Sequence, residues 1–100
     1  MNDGIYDGTQ SEGSESVNAS SGSITVPGSA TTGDQYDVFI SVTGADVFET
    51  DTTNGAGGAK TADGSAYVSI GRYLGAAEIS LRCGSGDSST VAWTAKKIVG

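Results

Sequence analysis

The chain has 100 residues, 16 of them glycine, with one cysteine, no histidine and a formal net charge of −7. That is the length of one domain, and a chain so small buries a modest share of its surface, so contact with other copies or with a larger body adds to its stability. One cysteine excludes an internal disulfide, the lack of histidine removes the commonest general base and metal ligand, and the acidic balance argues against nucleic acid, which needs a basic stripe.

The charge is uneven. Nine carboxylates and no base precede Lys60; five bases and three acids follow from there on. An acidic front and a mildly basic back suit either simple solubility or head-to-tail contact between copies. Residues 1–20 have neither a basic start nor an apolar run, and no stretch approaches the ~20 apolar residues of a membrane helix. The reading is of a chain made in a reducing cytoplasm, with no membrane and no nucleic acid among its partners. Asn18-Ala-Ser20 fits the glycosylation sequon, a triplet common by chance.

Residues 1–22 are mostly Gly, Ser, Asp, Glu and Asn. Such a composition cannot repay its ordering entropy alone. It reads as an extended acidic arm outside a domain spanning 23–100, held between molecules with Ile5, Tyr6 and Val17 as anchors. The edge strand of a neighbouring subunit supplies backbone partners, and Arg72, Arg82, Lys96 or Lys97 supply charge. The alternative is that the arm lies along its own domain.

Short strands with glycine turns follow. Ser23–Val26 is closed by Pro27-Gly28. Tyr36–Thr43 sends Tyr36, Val38, Ile40 and Val42 to one face and Asp37, Phe39, Ser41 and Thr43 to the other. Val47-Phe48 is a brief strand before a Gly-rich loop over 51–64, with a short edge piece at Lys60-Thr61. Ser65–Ile70 alternates again, with Ala66, Val68 and Ile70 opposite Tyr67 and Ser69, and Gly71–Gly75 reads as a corner. Ala77–Val99 reads as a hairpin whose first arm turns Ala77, Ile79, Leu81 and Cys83 inward and whose second turns Val91, Trp93 and Ala95 inward. One hairpin needs a second layer. The chain therefore predicts an all-β fold, an antiparallel β-sandwich or flattened barrel with an extended N-terminal arm. Val38, Ile40, Val42, Val68, Ile79, Leu81, Val91 and Trp93 form much of the core, and Cys83 is a buried, inert thiol.

Candidate chemistry is thin. Asp46, Glu49 and Asp51 are close enough in sequence to suggest paired carboxylates, but loop carboxylates are usually solvated. Asp51–Gly55 lacks the alternating acids of an EF-hand, and Gly55–Gly58 lacks the Lys-Ser/Thr of a phosphate loop. Tyr36, Tyr67, Tyr73 and Trp93 could offer sugar-stacking rings, with Trp93 better placed in the core and Tyr67 on the wet face of its strand. No catalytic, cofactor-binding or metal residue is assigned, and the chain reads as no enzyme.

Gly22-Ser-Ile-Thr-Val-Pro27, Tyr36–Thr43 and Tyr67–Cys83 resemble, in order and style, small β-sandwich structural proteins of tailed bacteriophage virions. The resemblance spans about residues 22–99 and implies a virion protein made in the host cytoplasm, most simply a capsid decoration or cement protein, with fibre and tail parts as neighbours in kind. It implies homo-oligomeric contacts and contacts with a major capsid or other virion protein. The runner-up is a carbohydrate-binding β-sandwich module.

Overall fold

The computed structural model describes residues 5–29, 31–52, 61–62 and 67–99. They form eight strands: β1 (Tyr6–Asn18), β2 (Ser23–Thr25), β3 (Gln35–Gly44), β4 (Val47–Thr52), β5 (Thr61–Ala62), β6 (Val68–Leu74), β7 (Glu78–Arg82) and β8 (Ser88–Ile98). The strands make two four-stranded antiparallel sheets packed together, in the orders β1-β8-β3-β6 and β2-β7-β4-β5. No helix occurs among the described residues. The all-β sandwich expected from the alternation is the fold. Most of the loop expected over 51–64 lies outside the described residues.

The core is formed where the inner faces meet. Register aligns Val42 with Val91, Ile40 with Trp93 and Val38 with Ala95 across β3 and β8. Opposite residues of an antiparallel pair point to the same face, so these six form one apolar floor, and all are buried. Ile24, Val47, Ile79 and Leu81 close it from the second sheet, also buried. Cys83 lies at its margin, 6% exposed, with its thiol 3.6 Å from the Val17 carbonyl and from Ser89 Oγ.

Three expectations are corrected. The Ala77–Val99 segment is not a hairpin: β7 and β8 sit in different sheets, β7 between β2 and β4, β8 between β1 and β3. The 84–87 turn, with Asp87 N–H donating to the Gly84 carbonyl at 3.0 Å, carries the chain across the core. Two strands that face each other across a core alternate just as two that lie side by side do, so alternation alone does not separate the cases.

The corner expected at Gly71–Gly75 is largely strand. Val38 pairs with Gly71 but Phe39 pairs with Ser69, leaving Ile70 as the extra residue of a bulge. Ile70 and Gly71 share the inner side, and the inward parity passes from even to odd numbers, which buries Tyr73 and turns Arg72 out. Gly71 takes φ 132°, a value that suits glycine. Val68, expected in the core, is 39% exposed at the end of this edge strand.

The third correction concerns the arm. Residues 6–18 are the longest strand of the sandwich, paired from Gln10 to Asn18 with β8 of the same chain. The free edge that holds them belongs to their own domain. Trp93 explains why so polar a segment is ordered. Its indole lies under Gly13, where a Cβ would stand 2.7 Å from the ring, and its Nε1–H donates to Glu15 Oε2 at 3.2 Å. Val17 enters the core at 2% exposure. Leaving the strand, Asn18 Oδ1 accepts from the N–H groups of Ser20 and Ser21, both at 2.8 Å, and turns the chain toward β2.

Candidate functional site

The first sheet has two unlike faces. Its inner face is core; its outer face, made by the even positions of β1 and β8 and the odd positions of β3, faces solvent. Most of that face is short: Ser14 and Ser16 from β1, Ala92 and Thr90 from β8, Ser41 and Thr43 from β3 lie side by side in register. At one end the side chains lengthen into a cluster of aromatic and charged groups.

Asp37 is the hub of that cluster. Arg72, opposite it on β6, donates from Nε to Oδ1 at 2.9 Å and from a terminal nitrogen to Oδ2 at 3.3 Å. The Tyr6 hydroxyl, arriving from β1 across β8, donates to Oδ2 at 2.7 Å. The Arg72 hydrogen bonds, aided by Tyr6, hold the Asp37 carboxyl below its ordinary range against the opposing effect of burial. The pair is fork-to-carboxylate and so fixes geometry as well as charge.

Lys96 stands beside it. Its ammonium lies 5.6 Å from the Tyr6 ring centre and 5.4 Å from that of Phe39, a cation held over two aromatic faces. Phe39, Lys96, Gln10, Thr94 and Tyr67 line a shallow hollow of about 310 Å³. Tyr67, the residue before β6, is 53% exposed, so its ring is open to solvent. Gln10 Nε2 donates to Glu12 Oε2 at 3.3 Å on the rim.

A second cluster sits at the strand ends, where Lys97 lies 3.8 Å from both Asp7 Oδ2 and Asp34 Oδ1. The Thr9 N–H bond to Asp7 Oδ1, 2.7 Å, is the main reason the Asp7 carboxyl falls below its ordinary value, and it shapes the bulge between Tyr6 and Gln10. These exposed pairs add little stability.

The three arm anchors part company. Val17 lies in the core; Tyr6 belongs to the Asp37 cluster; Ile5 is half-exposed at the sheet end, its carbonyl accepting from Val99 N–H at 2.7 Å. Of the proposed carboxylate receivers, Lys97 meets Asp7, Arg72 meets Asp37, and Arg82 turns to the carbonyls of Gly22 and Leu81. Asp46 and Glu49 lie in unlike settings. Asp46 is exposed, whereas Glu49 is 1% exposed in the core and accepts from the Tyr73 hydroxyl at 2.9 Å. Among the described residues no group of three or more acidic or cysteine side chains could hold a metal. Phe39, Lys96 and Gln10 are not legible as a site in the sequence; the one signal is the exposed ring of Tyr67.

Comparison with protein-family models, with curated proteins and with solved structures gives no match.

Proposed function

We propose that the chain is a non-enzymatic virion structural protein of the tailed-bacteriophage kind, a capsid decoration or cement protein acting through subunit contacts. The observation that supports this is the outer face of the first sheet, where Ser14, Ser16, Ser41, Thr43, Thr90 and Ala92 make a broad patch of small side chains. Docking on such a patch freezes few rotamers, so buried area converts to affinity with small entropic loss. The partner is a major capsid protein or another virion protein. Other copies of the chain meet it where Ile5 and Val99, both about half exposed, leave an apolar spot at the sheet end.

The test uses tailed-phage particles from the source of the sequence. Mass spectrometry should find the chain in many copies per particle, and purified protein should rebind particles stripped of it. Ala92→Arg, which sets a long charge between Ser14 and Ser41 on the outer face, should fold normally and fail to rebind. Absence of the chain from particles, or undiminished rebinding by Ala92→Arg, would contradict the proposal.

A further inference from the structure

The hollow at the aromatic end of the outer face has a feature the assembly role does not use. Among the described bases, Arg72 is matched by Asp37, Lys97 lies between Asp7 and Asp34, and Arg82 is spent on backbone carbonyls. The Lys96 ammonium forms no ion pair or hydrogen bond with any described residue and rests on the rings of Tyr6 and Phe39. A cation left without its counter-ion beside open aromatic rings is complementary to a ligand that brings a negative charge on an otherwise flat, hydroxylated body.

We propose that this hollow binds an acidic saccharide: a pyranose ring carrying one carboxylate, stacked on Tyr67 and paired with Lys96. The Tyr67 ring, 53% exposed, offers its face to the C–H side of the sugar. The Gln10 amide and the Thr94 hydroxyl, both lining the hollow, supply a donor and an acceptor for ring hydroxyls. At about 310 Å³ the hollow is at the small end of ligand sites, which run from roughly 300 to 1,000 Å³, and suits one sugar residue. The chain's net charge of −7 opposes a polyanion at long range. The ligand is therefore a single acidic sugar within a neutral glycan rather than a uniformly charged polysaccharide. Lys96 sets the specificity, because a neutral sugar leaves its charge unmatched.

The isolated protein decides the matter, so failure here leaves the virion reading standing. Sialyllactose and a glucuronic-acid disaccharide are titrated against ¹⁵N-labelled protein, with lactose as the neutral control. At least one acidic sugar should shift the amides of Tyr67, Thr94 and Lys96 and saturate, with lactose weaker by about tenfold or more. Binding should weaken about tenfold in Lys96→Gln, be kept in Lys96→Arg, and be lost in Tyr67→Ala, all three with wild-type melting temperatures. If lactose binds as well as the acidic sugars, if neither acidic sugar binds, or if Lys96→Gln or Tyr67→Ala leaves binding unchanged, the proposal is overturned.

Discussion

Two side-chain pairings show how a sparse sequence holds a core. The first is Gly13 over Trp93. The indole needs a flat lid, and the strand supplies one by omitting a side chain at the residue opposite it. Gly13→Val would drive its Cβ into Cε2, Cζ2 and Nε1 of the ring. The expected cost is about 1–3 kcal/mol, read as a lower urea midpoint with red-shifted tryptophan emission. The second is Tyr73 with Glu49, a hydroxyl–carboxylate bond in the centre of the sandwich. Burial, then the bond to Glu49, pushes the Tyr73 hydroxyl well above its ordinary range. A group whose folded value is raised stabilises the fold below its unfolded value, about 10, and that contribution is lost as pH rises beyond it. The protein should therefore lose stability on the alkaline side. Tyr73→Phe should flatten that limb while costing about 1–3 kcal/mol at neutral pH, because Glu49 loses a donor.

Asp37 works in the opposite sense. Its carboxyl is depressed, chiefly by Arg72, so its contribution is present above the unfolded value of about 3.9 and fades as pH falls below that. Asp37→Asn should make acid unfolding less steep, measured by thermal melts from pH 6 to pH 2, while removing the charge that fixes Tyr6 and Arg72. An unchanged acid limb would show that the cluster contributes nothing to folding.

At the scale of elements, legibility followed the physics of each signal. Alternation in 36–43 and 77–83 specified strands and faces correctly, because a period of two survives whatever the partner. It could not say whether Leu81 and Trp93 sat beside each other or across a core, and here they face across it. The bulge at Ile70 is invisible for a related reason: one extra residue changes parity, and the segment Gly71–Gly75 reads as a corner. The segment 6–18 failed as a strand reading because it has almost no apolar face. Between Gln10 and Ser16 its partners are chiefly backbone groups of β8 and one indole, and neither leaves a composition signal along β1 itself. The Lys96 hollow depends on three strands meeting in register, so only the isolated exposed ring of Tyr67 pointed toward it.

For the whole molecule, the consequence of β1 pairing at home is that both the small-residue patch and the aromatic end of the outer face are built within one chain. Ser14, Ser16, Tyr6 and Gln10 arrive on β1, and without it β8 would be an open edge. If β1 instead paired with a neighbour's β8, the face would exist only in an assembly. Isotope-filtered NOE measurements on a mixture of labelled and unlabelled protein separate the two directly. The account predicts contacts between Gly13 and the Trp93 ring within one chain, unchanged on dilution. Finding those contacts only between chains would contradict it.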